Sequence, residues 1–243
     1  MIRITLVRHG ETYNNRNHVV QGQDPTQGRL TEQGLLQAQL LGRALAQVPF
    51  DMVYSSPLER CCLTLSAILL ARSTQRTLPL MFPDALMEIN LGSLHGRPHS
   101  EWKASIRGEP MAWRAPGGES WLDVQARVTD YLRREIVPKG HREILVVAHG
   151  GVNRGILASL TGLPMAQCWD GPGVGTPQEN SCVNVLELSP QGDLLSALVN
   201  DTRHLSPAFP DAGPGQRWVP AERRWQLLEP GHAHGSLEFI PVA

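Results

Sequence analysis

What this 243-residue sequence lacks narrows it first. It has no surplus of either charge: the formal net charge is −1. That removes the bulk basic character expected of a nucleic-acid binder. It has no apolar run long enough to cross a bilayer. Its amino terminus enters a strand-like run directly, without a signal-peptide pattern. A soluble, cytoplasmic protein with no membrane and no nucleic-acid partner is therefore expected. The four cysteines, Cys61, Cys62, Cys168 and Cys182, have no metal-ligand spacing, so no metal site is expected. Cys61 and Cys62 fall in an apolar helical stretch and read as free thiols in a core. Lys103 and Lys139 are the only lysines, which carries no functional message by itself. No internal repeat, heptad or nucleotide-binding loop is evident. Gly171-Pro172-Gly173-Val174-Gly175 has no lysine and no helix after it, and reads as a plain loop.

The most pointed stretch is Leu6-Val7-Arg8-His9-Gly10-Glu11-Thr12. Ile2, Ile4 and Leu6 alternate with Arg3, Thr5 and Val7, a strand pattern. It delivers Arg8 and His9 to the strand's carboxyl end, where open α/β sheets bind ligands. A neutral imidazole is a good nucleophile towards phosphorus, and a guanidinium is a planar fork for phosphate oxygens. The adjacent cation disfavours the imidazolium and holds His9 neutral near pH 7. Ile144 to Ala148 is a fully apolar run, a buried parallel strand, and it too ends in His-Gly, at His149-Gly150.

Between these strands the signals are mixed. Tyr13 to Arg29 is a long polar loop carrying Asn15, Gln21 and Gly22, each also an ordinary turn residue. Thr31 opens a helix. Ser56-Pro57-Leu58-Glu59 reads as a capping box with proline in the first turn, and Arg60 follows. A cation there opposes the helix dipole, so it either pairs with a carboxylate or faces an anion. Arg72 to Arg76 is a polar break, and Thr77 to Phe82 a short strand. Glu88 lies among apolar residues in a turn-rich segment. It is either an exposed loop carboxylate or a partly desolvated group suited to general acid work. Ser120 with Asp123 can cap a helix whose Val124, Val128, Tyr131 and Leu132 face a core. Cys182 to Leu188 and Leu194 to Asn200 read as a hairpin.

Taken together, the Leu6–Thr12 string, Ser55-Ser56-Pro57-Leu58-Glu59-Arg60 with Thr64, Leu86-x-Glu88-x-x-x-Gly92 followed by His95-Gly96, and His149-Gly150 resemble the histidine phosphatase superfamily, the phosphoglycerate-mutase-like proteins. The motifs come in that family's order and cover about four-fifths of the chain. The resemblance implies an α/β fold, a three-layer α/β/α sandwich with a mostly parallel central sheet, and the alternation of strands and helices agrees with it. It assigns His9 as nucleophile and Glu88 as proton donor, ahead of Glu11 and Glu119. It assigns Arg8, Asn15, Gln21, Gly22, Arg60, His149 and Gly150 to phosphate and substrate binding. The implied enzyme is a histidine acid-type phosphatase, a metal-independent phosphomonoester hydrolase. It would act on a small phosphorylated metabolite through a phosphohistidine and need no cofactor.

A phosphoglycerate-type mutase would share these residues. Mutases of this family carry a longer segment after the proton donor, with paired arginines for a substrate carboxylate. Here that segment is short, His95 to Pro116, and runs into Pro116-Gly117-Gly118-Glu119-Ser120, as in the phosphatase branch. A non-catalytic phospho-ligand module should have lost His9 or Glu88, and both are present. The expected organisation is a catalytic domain over residues 1–205 and an extension over 206–243. In that extension Trp218, Trp225 and Leu227-Leu228 could pack on the domain, or the segment could be disordered. The substrate and the oligomeric state are not legible.

Overall fold

The computed structural model describes residues 1–26, 28–72, 77–169, 176–222 and 224–228. The Gly171–Gly175 loop, most of the polar break before the third strand and the tail from residue 229 lie outside the described residues. In chain order the strands are β1 (Ile2–Arg8), β2 (Met52–Ser55), β3 (Leu80–Met81), β4 (Glu143–Ala148), β5 (Val183–Leu188), β6 (Leu194–Asp201), β7 (Gln216–Val219) and β8 (Arg224–Leu227). The helices are α1 (Tyr13–Arg16), α2 (Glu32–Leu45), α3 (Glu59–Leu70), α4 (His99–Ser105), α5 (Trp121–Tyr131) and α6 (Gly150–Thr161).

All eight strands form one sheet in the order β3-β2-β4-β1-β5-β6-β7-β8. β3, β2, β4 and β1 run parallel. From β1 outward every pairing is antiparallel. The sheet is therefore mixed, with four antiparallel pairings against three parallel ones, which corrects the expectation of a mostly parallel sheet. The reason is connection length. A parallel return needs a crossover of about a dozen residues or more, usually a helix. The turn between β5 and β6, by contrast, is closed by a Ser189 N–H to Asp193 carbonyl bond at 2.9 Å.

Side-chain alternation gives the sheet two apolar faces. Ile2, Ile4 and Leu6 of β1 and Ile144, Val146 and Ala148 of β4 share one core cluster with Trp121, Val124 and Val128 of α5 and Val152 and Ile156 of α6. Val7, Leu145 and Val147 face the other way, into a cluster with Leu41 and Leu45 of α2 and Cys61, Leu65 and Ile68 of α3. Each such valine, leucine or isoleucine side chain, fully buried, stabilises the fold by roughly 1.5–3 kcal/mol. β7 and β8 carry the sheet past β6, and Trp218 and Leu228 are buried, one in each cluster. Among the described residues no helix is long and apolar enough to cross a membrane.

The helix starts position the site. Thr31 caps α2 by accepting the Gly34 N–H at 2.9 Å, as its sequence context suggests. Ser120 and Asp123 form a reciprocal capping box on α5. At α3 the expected box at Ser56 is replaced. Leu58 takes the capping position without a side-chain bond, and Ser56 Oγ lies 2.8 Å from His149 Nε2 instead. The first turn of α2 packs directly on the segment after β1. A Cβ built on Gly34 would lie 2.0 Å from the Glu11 carbonyl oxygen. Gly34→Ala is therefore expected to destabilise the protein by about 1–3 kcal/mol through overpacking. A urea midpoint unchanged from wild type would contradict this contact.

Candidate active site

β1 and β4 are parallel neighbours in register, Arg8 beside Ala148, so the residues just beyond them come out together. The His9 and His149 ring centroids are 5.2 Å apart. A cavity of about 220 Å³ opens at these strand ends. His9 and Arg8 line it from β1, Asn15, Gln21 and Gly22 from the loop around α1, and Arg60 from α3. Glu88 enters from the irregular segment after β3, and Gly150 from the start of α6. Of the residues assigned to catalysis or binding from the sequence, His149 alone does not line the cavity itself.

The hydrogen bonds fix the tautomers. His9 Nδ1 lies 2.8 Å from its acceptor, the Gly10 carbonyl, so Nδ1 carries the proton and Nε2 keeps a free lone pair. Burial, then the charges of Arg60 and Arg8, hold this imidazole well below the usual histidine range. His149 is fully buried. Its Nδ1 accepts the Arg60 Nε–H at 3.1 Å, which leaves the proton on Nε2, facing Ser56 Oγ. Burial, then Arg60, depress its basicity too. His149 thus orients Arg60 from behind the cavity.

Arg60 is 1% exposed. Its Nη2 donates to the Gly22 carbonyl at 2.8 Å. Gly22 sits at φ +51°, and a Cβ there would lie 2.3 Å from His95 Nε2, so the residue must be glycine. Arg60 Nη1 and Arg8 Nε are buried without a hydrogen-bond partner among the described residues. Arg8 Nη1 donates to the Gln178 carbonyl. Neither guanidinium has a carboxylate within ion-pair distance among the described residues. One buried and one partly buried cation, each with a buried N–H that has no partner among the described residues, on one small cavity are built for an anion. Asn15 Oδ1 accepts the Thr12 N–H and the Asn180 amide, both at 3.2 Å, so its NH₂ is the end left for a ligand. The Gly150 N–H, at the first position of α6, has no intrahelical acceptor. Gln21 Oε1 accepts from Thr12 Oγ1 at 2.9 Å.

Glu88 is held at both oxygens. Oε1 accepts the Ile89 N–H at 3.0 Å and Oε2 the Gly151 N–H at 3.2 Å. The rival carboxylates lie elsewhere: Glu11 pairs with Arg16 at 2.8 Å and Glu119 with Arg127 at 2.9 Å, and neither lines the cavity.

A family model described as the histidine phosphatase superfamily (branch 1) matches residues 4–201. The chain belongs to the histidine phosphatase superfamily. Within it, the chain is similar to a 2,3-bisphosphoglycerate-dependent phosphoglycerate mutase of Methylobacterium sp. (strain 4-46). That match is 34% identical and covers 69% of this chain and 87% of the relative. It is also similar to the adenosylcobalamin/alpha-ribazole phosphatase of Escherichia coli (strain K12), 32% identical over 69% of this chain and 83% of that one. Among solved structures, the alpha-ribazole phosphatase from Shigella flexneri superposes with a TM-score of 0.66 at 28% identity. It covers 82% of this chain and 96% of that one.

The chain also lines its cavity with Trp121, Trp169, Arg154 and Gln178, which the sequence reading did not single out, and with His99 and Trp102 from the segment after Glu88. The Trp121 and Trp169 ring centroids are 4.2 Å apart, and the Arg154 guanidinium lies over Trp169 at 4.6 Å. Arg154 had a signal: it follows Gly150 by one helical turn, on the same face. Gln178 arrives from a loop and had none.

If the vacant guanidinium groups form an anion site, inorganic phosphate should raise the thermal midpoint of wild type. Arg60→Met should weaken phosphate binding by about tenfold to a hundredfold, the equivalent of one or two charged hydrogen bonds. Equal affinity in the two proteins, measured by calorimetry, would contradict the assignment.

Proposed function

We propose that this chain is a metal-independent phosphomonoester hydrolase of a small phosphorylated metabolite, working through a phosphohistidine. The observation that carries the reading is a neutral imidazole with a free Nε2 beside the buried Arg60 and the partly buried Arg8, whose guanidinium groups lack anionic partners among the described residues. His9 Nε2 attacks phosphorus in line. Arg8 and Arg60, with the Asn15 NH₂ and the Gly150 N–H, hold the phosphoryl oxygens and offset the transition-state charge. His149 contributes by fixing the Arg60 plane. Glu88 gives its proton to the leaving alcohol, so the P–O bond breaks as the P–N bond forms. It then takes a proton from water, whose oxygen attacks the phosphohistidine and releases His9 with phosphate.

A phosphoglycerate-type mutase is the second reading, and relatives carrying that name, such as the Methylobacterium protein, favour it. The segment after Glu88 favours hydrolysis. It lends the cavity His99 and Trp102, whereas Arg97, Arg107 and Arg114 do not line it. Arg114 is engaged by Asp123 through two 2.6 Å bonds. A paired-arginine clamp for a substrate carboxylate thus has no counterpart there among the described residues. The tryptophans at the cavity wall suit a leaving alcohol with a carbon-rich face.

Phosphate release from an aryl phosphate in the presence of a chelator tests the reading. Wild type should turn over and His9→Ala should lose essentially all activity. Equal rates in the two purified proteins would sink it. Interconversion of phosphoglycerates dependent on a bisphosphoglycerate, without comparable phosphate release, would favour the mutase.

A further inference from the structure

The segment that carries Glu88 has no strand to hold it. Only a single helical turn, Asp84–Leu86, precedes it, and the chain then runs irregularly to Leu91. One side chain makes three of the bonds that pin its backbone from outside. Arg127, in the second turn of α5, donates from Nη1 to the Ala85 carbonyl at 2.7 Å. Its Nη2 donates to the Met87 carbonyl at 2.7 Å and the Glu88 carbonyl at 3.2 Å. Nε and Nη2 also reach the two oxygens of Glu119, at 2.9 and 3.2 Å. Glu119 completes the frame by accepting the Asn90 N–H at 2.9 Å. Gln23 Nε2 adds a bond to the Glu88 carbonyl at 2.8 Å and a longer one to Glu119 at 3.4 Å.

We infer that Arg127, locked by Glu119, is a positioning residue that sets where the Glu88 carboxyl stands. It does not line the cavity and touches no reacting atom. Its guanidinium fork spans three carbonyls of one short segment, a geometry lysine cannot reproduce. With the backbone fixed on one side, the Glu88 oxygens meet the Ile89 and Gly151 N–H groups on the other. A proton donor held by so few contacts loses efficiency with a displacement of about 1 Å. The inference rests on the proposed role of Glu88.

The test separates positioning from mere stabilisation by the leaving group. An alkoxide needs a proton as it departs, whereas a dinitrophenolate does not. Glu88→Gln, Arg127→Met and Glu119→Gln are compared with wild type on an alkyl phosphate and on dinitrophenyl phosphate, under single-turnover conditions that report the first chemical step. Glu119→Gln keeps the shape of the pair, so the comparison survives if Arg127→Met does not fold. General acid catalysis contributes about 10²–10⁴-fold, so Glu88→Gln should lose most of that on the alkyl ester and little on the dinitrophenyl ester. Arg127→Met and Glu119→Gln should show the same asymmetry, with losses of about tenfold or more on the alkyl ester. Losses equal on both esters, or none on either, would overturn the inference. If Glu88→Gln itself shows no asymmetry, the proton-donor role falls, and the positioning role falls with it.

Discussion

Arg60 is a guanidinium carried into the interior on the first turn of α3, with an imidazole nitrogen and a carbonyl where a carboxylate would ordinarily stand. Burying a charge without an ionic partner is costly, and the protein meets that cost only in part. Nε and Nη2 are satisfied by His149 and Gly22, and Nη1 is left vacant at the cavity. The arrangement explains why His149 must be neutral: a protonated Nδ1 could not accept from Arg60. It also explains His9. A guanidinium field in a buried pocket disfavours the imidazolium and keeps the lone pair available. One charge without a carboxylate partner among the described residues therefore gives the cavity its cationic field and favours a neutral His9.

The sheet delivers these groups by topology. β1 is the strand where the parallel half of the sheet meets the antiparallel half. On its parallel side the ends of β1 and β4 place the His9 and His149 rings in a T-shaped contact. On its antiparallel side, the segment before β5 returns beneath the site, where the Ser181 N–H and the Asn180 amide donate to the His9 carbonyl at 3.1 and 3.2 Å. His9 is thus clamped through its backbone by one half of the sheet and faces its partners from the other.

How much of this was legible in the sequence follows from what each residue depends on. β1 and β4 were readable because their patterns are local: alternation in one, an unbroken apolar run in the other. Strand direction is not local. Val183 to Leu188 is buried on both faces, like a strand of a parallel sheet, yet it pairs antiparallel to β1. The mostly parallel sheet was misjudged for that reason. The capping box at Ser56 failed similarly, because Ser56 Oγ meets His149, a contact 93 residues away in sequence, and at its own helix reaches only the N–H of the capping residue Leu58. His9, Arg8, Arg60, Glu88 and Gly150 line one cavity. Trp121, Trp169 and the Arg127 frame were not legible, since aromatic and cationic residues on amphipathic helices look alike whether or not they meet a site.

Phosphorylation of the enzyme itself is the most direct test of the account. Glu88→Gln, given a phosphate ester with a good leaving group, should transfer the phosphoryl group but lack the base that activates water. Intact-protein mass spectrometry should then find one acid-labile phosphoryl group per chain, peptide mapping should assign it to His9, and the label should be absent when His9→Ala is combined with the same change. No phosphoenzyme at any time during turnover, or one on a different residue, would contradict it.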